Sequence, residues 1–241
     1  MLIAFEGIDG SGKATQAKLL VDRLTDHFGE EWDATGAYST FKGVSLYSFP
    51  DYDTESGQHL KRYLKGDMGP LGSNDPFLVS LLYAFNRYQH RDQMKHLMEE
   101  CGTLIVCDRY VGSNLAHQGA NERSEARRAK LLQYIDAAEH GELALPRPDL
   151  VILLDLTAEQ SFRRTHARDD EPDLHQDSLD YMDRVRQVYL GLGDTYTAWR
   201  LVACVDADGK DRSVEDIHAE IWQIVASGEL GDRVLGHRSY L

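Results

Sequence analysis

The sequence predicts an α/β fold, a parallel sheet with helices on both faces, on three observations. Short apolar runs alternate along the chain with segments of helical periodicity. Runs such as "TLIVC" (103–107) and "LVILLDL" (150–156) lack inward-outward alternation, as strands covered on both faces do. A glycine-rich loop joins the first run to the first helical segment.

In chain order, "LIAF" (2–5) is the first strand, and in "KATQAKLLVDRL" Ala14, Ala17, Leu20, Val21 and Leu24 recur at helical spacing. "GEEWDATGAYSTFKG" (29–43) reads as a loop insertion and "GVSLYSF" (43–49) as a weaker strand. Helical patterns over 55–65 and 75–99 precede the strand at 103–107, and 123–140 separates it from the strand at 150–156. Patterns over 157–167 and 178–191 lead to a last strand, "LVACV" (201–205), followed by a helix over 213–226. The tail 228–241 carries no clear pattern, and no internal repeat or low-complexity segment interrupts the order.

At 241 residues the chain can form one large domain, and no linker divides it. A net charge of -14 argues against a nucleic-acid polymer or an anionic membrane as partner, because both are reached through a basic field. An anionic small molecule would need a locally basic pocket. Cys101, Cys107 and Cys204 form no short metal-spaced pair, and their odd count suggests buried thiols in a reducing cytoplasm. Neither a signal-like N-terminus nor an apolar stretch of membrane-spanning length is present in the sequence, so a cytoplasmic location is expected.

"GIDGSGKAT" (7–15) carries the chemistry. Gly7, Ile8, Asp9, Gly10, Ser11, Gly12 and Lys13 fit GxxxxGK[ST] up to its last position. In that pattern backbone N–H groups surround a phosphate, the helix N-terminus adds its dipole, and the lysine reaches the β/γ oxygens, so phosphate binding is expected. Ala14 stands where a hydroxyl would ligate Mg²⁺, and Thr15 points about 100 degrees further round the helix. Metal duty is therefore expected of Asp9, inside the loop, and of Asp108, which ends the strand "TLIVCD" as a Walker-B-like carboxylate acting through water.

"FEGIDGSGKATQ" (5–16), "FPDYDTESGQHLKRYLKG" (49–66) and "DRYVGSNLAHQGA" (108–120) together closely resemble thymidylate kinases, which phosphorylate dTMP with ATP. The resemblance continues through "LLYAFNRYQHRDQM" (81–94), "RPDLVILLDL" (147–156) and "DLHQDSLDYMDRVRQVYLGL" (173–192), and covers roughly residues 2–226. It implies a three-layer αβα P-loop kinase fold with a five-stranded parallel sheet, a mobile lid at about 164–177, and a single domain over 1–241. It also implies a homodimer that converts dTMP to dTDP with Mg²⁺ and ATP, for dTTP synthesis.

The resemblance assigns residues as well. Tyr83 would stack on thymine and Arg87 would bond the base, from one face of a helix. Phe49 would wall the nucleotide pocket, and Arg109 would hold the phosphate of dTMP with its planar fork. Ser113, Asn114, His117 and Gln118 would surround sugar and base. His117 stands where many relatives carry tyrosine, which leaves the preference for deoxyribose open. The phosphate loop carries no arginine, so Arg163, Arg164 and Arg168 in the lid sequence "FRRTHARDDEPD" are expected to stabilise the transferring phosphate with Lys13. Gln176 replaces an acid common in that lid, while Asp173 remains. The residues by themselves leave two alternatives: a kinase for another pyrimidine nucleotide or nucleoside, and a nucleotide-binding protein without turnover.

Overall fold

The computed structural model describes residues 1–34, 41–70, 72–167 and 178–235. Its five strands are β1 (Leu2–Glu6), β2 (Gly43–Ser48), β3 (Thr103–Asp108), β4 (Leu150–Asp155) and β5 (Trp199–Ala203). They form one sheet in the order β2-β3-β1-β4-β5, parallel at every pairing. β1, β3 and β4 are buried along almost their whole length, which explains their unbroken apolar sequences: both faces meet helices.

The helices are α1 (Lys13–Ala34), α2 (Glu55–Leu64), α3 (Pro76–Tyr88), α4 (Arg91–Glu99), α5 (Val111–Asn121), α6 (Glu125–Asp136), α7 (Ala158–His166), α8 (Leu179–Thr195), α9 (Val214–Val225) and α10 (Gly228–Leu235). Side-chain caps fix several starts. Thr54 accepts from the N–H of Gly57, Asp75 from that of Phe77, and Thr157 with Gln160 forms a capping box on α7. α1 packs against β1, β2, β3 and α9, while α5 packs against α3, α6 and α8.

The chain order around β1 positions the site. From β1 the chain crosses to β2, returns to β3 beside β1, and then passes to β4 on the other side. Connections therefore diverge at the carboxyl ends of β1 and β3, where open parallel sheets bind ligands. The phosphate loop leaves β1 there, residues 49–54 leave β2, and Arg109 and Tyr110 leave β3.

Several sequence expectations are corrected. β5 begins two residues before the apolar run at 201–205, because its pairing follows Val151–Asp155 of β4 and an edge strand tolerates the exposed Arg200 and Leu201. The pattern at 75–99 breaks into α3 and α4 at Gln89 and His90, where the His90 N–H bonds back to the Arg87 carbonyl. The pattern at 123–140 ends as α6 at Asp136 and continues as a π-helical turn, Ala137–Glu142. Part of the expected loop insertion belongs to α1, which runs to Ala34; 35–40 lie outside the described residues. The tail supplies α10, with 236–241 outside the described residues. All three cysteines are free, but Cys101 is only partly buried. Among the described residues no helix is long and apolar enough to cross a membrane.

Candidate functional site

The loop after β1 turns sharply under the sheet. Gly7 has φ +139, and a Cβ there would lie 2.5 Å from the carbonyl oxygen of Leu154 on β4, so the chain can pass only without a side chain. Lys13 opens α1 with its ammonium turned back into the loop, Nζ donating to the Ile8 carbonyl at 2.8 Å. Burial, reinforced by the charge of Arg109, pushes its pKa down to about 8. Ala14 and Thr15 are exposed on the first turn.

Beside this loop a cavity of about 320 Å³ opens between the carboxyl ends of β2 and β3 and helices α3 and α5. Phe49, Tyr83, Arg87, Arg109, Ser113, Asn114, His117 and Gln118, all expected at the acceptor site, line it together with Asp9 and Asp108, expected at the metal. Lys13 does not; it stays within the phosphate loop.

At the loop end of the cavity, Arg109 adopts φ 65, a left-handed conformation costly for a side-chain-bearing residue and found preferentially at functional sites. Its guanidinium hydrogen-bonds the carboxylate of Asp9 and lies 3.4 Å from both the Gly7 carbonyl and Ser113 Oγ. Burial opposes its charge, but Asp9, Tyr189 and Asp108 outweigh that and hold it protonated above the usual arginine range. Asp108 Oδ1 is buried without a hydrogen-bond partner among the described residues.

Elsewhere on the lining, Phe49 and Tyr83 contribute aromatic walls, and Arg87 and Asn114 contribute polar groups. Arg87 is bound bidentately to Glu139, Nε to Oε2 at 2.6 Å and Nη2 to Oε1 at 2.5 Å. Asn114 Nδ2 donates to the Ser80 carbonyl at 3.0 Å and to Glu139 Oε1 at 2.7 Å, while its buried Oδ1 has no partner among the described residues. His117 Nδ1 lies 3.1 Å from the Tyr181 hydroxyl. Gln118 is fully buried with neither amide atom bonded among the described residues.

Two acids that sequence reasoning passed over organise these side chains. Glu6 accepts the N–H of Tyr110 at 2.9 Å on Oε1, and the hydroxyls of Ser113 at 2.5 Å and Tyr189 at 3.1 Å on Oε2. Burial raises its pKa, against those hydrogen bonds and the charge of Arg109. Its signal in the sequence is a carboxylate closing an otherwise apolar strand. Glu139 gives another: it lies four residues after the buried Ile135, on the core stripe of its helical pattern.

The lid arginines separate. Arg164 donates to the Gly10 carbonyl at 3.0 Å and to Asp211 at 2.8 Å, and Ser161 donates to the Asp9 carbonyl at 2.6 Å, so α7 clasps the phosphate loop. Arg163 is exposed. Arg168, Asp173 and Gln176 lie outside the described residues.

The sequence matches the family model for thymidylate kinase over residues 5–221. The chain belongs to the thymidylate kinase family. A probable thymidylate kinase from Pyrococcus abyssi is 33% identical over 230 residues, spanning 95% of this chain and 97% of that protein. The thymidylate kinase of Caenorhabditis elegans is 30% identical over 164 residues, 68% of this chain and 66% of its own length. A solved thymidylate kinase from Candida albicans superimposes with a TM-score of 0.69 at 23% identity, over 97% of this chain and 92% of that one. Another, from Ehrlichia chaffeensis, gives 0.61 at 20% identity over 93% and 98%. These two share the five-stranded αβα fold with the family member described here.

Proposed function

We propose that the chain transfers the γ-phosphate of ATP to dTMP, forming dTDP and ADP for dTTP synthesis. One observation carries this reading beyond family membership: one cavity is lined both by Arg109, beside the phosphate loop, and by Arg87 and Asn114 together with the aromatic Phe49 and Tyr83. A pyrimidine monophosphate matches that order of groups. Both Asn114 Nδ2 partners are acceptors, which fixes the amide with Oδ1 as a free acceptor. Thymine offers a carbonyl O4 to the arginine and an N3–H to that oxygen, whereas cytosine presents an amino group and an unprotonated N3.

In this reading the loop amides and Lys13 hold the β- and γ-phosphates of ATP, and Arg109 orients the phosphate of dTMP for in-line attack. Arg109 is already strained into place and paired with Asp9, so little rearrangement precedes binding. Arg164 holds the loop, and Arg163 and Arg168 are left as the lid cations for the transferring group. The residues present fit Mg²⁺: Asp108 Oδ1 is a buried, unpartnered carboxylate oxygen beside the loop, and Mg²⁺ retains waters readily. Asp108 and Asp9 would hold it, and when bound it neutralises charge on the phosphate oxygens.

A homodimer is part of the same proposal. Leu78, Leu82 and Phe85 form an exposed apolar stripe on α3, and Phe77 packs its ring 4.1 Å from that of Tyr134 on α6. Three free cysteines suit a reducing cytoplasm. Incubation with ATP, Mg²⁺ and dTMP tests the reaction: dTDP and ADP should form in equal amounts. ATP binding without dTDP would overturn it.

A further inference from the structure

We propose that Glu139, in the π-helical turn after α6, is the positioning residue that aims Arg87 and Asn114 at the pyrimidine base and so sets the choice of base. The inference rests on the proposed function and adds to it a residue outside the cavity lining.

The geometry is specific. Glu139 is fully buried and its carboxylate ties together three helices: Arg87 from α3, Asn114 from α5, and its own turn. Glu139 takes Nε–H and one Nη2 hydrogen of Arg87, so Nη1 and the second Nη2 hydrogen are the donors left for a ligand in the cavity that Arg87 lines. By taking one Nδ2 hydrogen of Asn114, with Ser80 taking the other, it turns the unpartnered Oδ1 away from the carboxylate. Arg87 and Asn114, both on the cavity lining, are thus left with a free donor group and a buried acceptor unbonded among the described residues.

The charge matters equally. Unpaired, Arg87 would be a second guanidinium able to attract the substrate phosphate to the wrong end. Paired with Glu139, Arg87 serves as a hydrogen-bond donor; Arg109 is paired too, with Asp9, but it lies beside the phosphate loop, 3.4 Å from the Gly7 carbonyl. Burial opposes the Arg87 charge, and Glu139 outweighs this and holds it protonated.

The π-helical turn supplies the register. The N–H of Leu143 bonds to the carbonyl of Ala138, five residues back, and that of Leu145 to the carbonyl of Glu139 itself. Arg91 Nη1 also donates to the Leu143 carbonyl. Such a π-helical turn is a device often found at functional sites.

Steady-state kinetics of Glu139→Gln with Mg²⁺, ATP, and either dTMP or dCMP test the proposal. We expect KM for dTMP to rise at least tenfold, KM for ATP to stay within twofold, and the dTMP-over-dCMP preference in kcat/KM to fall at least tenfold. Because Glu139 acts through Arg87 and Asn114, adding Glu139→Gln to Arg87→Gln should cost less than Glu139→Gln costs alone, the remainder being the part that acts through Asn114. Should Glu139→Gln fail to fold, Glu139→Asp, with its carboxylate withdrawn by one methylene, should show the same changes at smaller size. Wild-type KM and preference in a folded variant, with only a lower Tm, would make Glu139 purely structural and overturn the inference. Wild-type protein that does not phosphorylate dTMP would overturn the functional reading, and this inference with it.

Discussion

Lys13 makes its own site pH-dependent. Its pKa, lowered to about 8 by burial and by Arg109, lies below that of a free lysine, so the unliganded fold carries a buried charge at neutral pH and loses it above about 8. The sign follows: between about 8 and 10.4 the unfolded chain binds more protons, so this group makes the unliganded protein more stable as pH rises. Phosphate binding needs the charged form, so ATP affinity should fall above pH 8, towards tenfold per pH unit. Titrating ATP from pH 7 to 9.5 checks this; Lys13→Met should bind weakly and show no such slope, and a flat wild-type profile would contradict it. Ala14, exposed one residue on, gives the complementary test. With Asp108 and Asp9 as carboxylates for Mg²⁺, Ala14→Ser should change kcat/KM by less than tenfold, about 1.4 kcal/mol. A hundredfold gain would show that the missing hydroxyl limits turnover.

At the scale of elements, the cavity depends on how closely α5 sits on the sheet. A Cβ at Gly112 would lie 2.7 Å from Glu6 Oε1 and 2.9 Å from Trp199 Cη2, so Gly112→Ala must push α5 away from β1 and β5. We expect a loss of about 2 kcal/mol, seen as a Tm lower by about 4–8 °C; an unchanged Tm would mean that α5 does not need this approach. Elements with a local signature were legible in the sequence: the apolar β1, β3 and β4, the glycine loop, and the residues of the quoted motifs that line one cavity. Elements decided by tertiary context were not. β5 takes its bounds from pairing with β4, and nothing in "RYQHRD" announces the break between α3 and α4. Glu6 and Glu139 were missed because a buried acid is defined by its partners, which lie 104 and 52 residues away in Tyr110 and Arg87.

For the whole molecule, a net charge of -14 surrounds a cavity holding two paired arginines, so anion binding rests on local geometry rather than on the overall field. The exposed stripe of Leu78, Leu82 and Phe85 should be covered in a dimer. Light scattering should give a wild-type dimer and a folded monomer for Leu78→Glu with Phe85→Glu; a monomeric wild type would contradict that assembly. Base choice and phosphoryl transfer meet in one experiment, the kcat/KM of purified wild-type protein for dTMP against dCMP with ATP and Mg²⁺. We expect dTMP to be turned over at about 1–100 s⁻¹ and preferred by about a hundredfold or more, since cytosine leaves both Arg87 and Asn114 without a matching group. Equal use of the two acceptors, or ATP binding with transfer to neither, would contradict a site built for thymidine monophosphate.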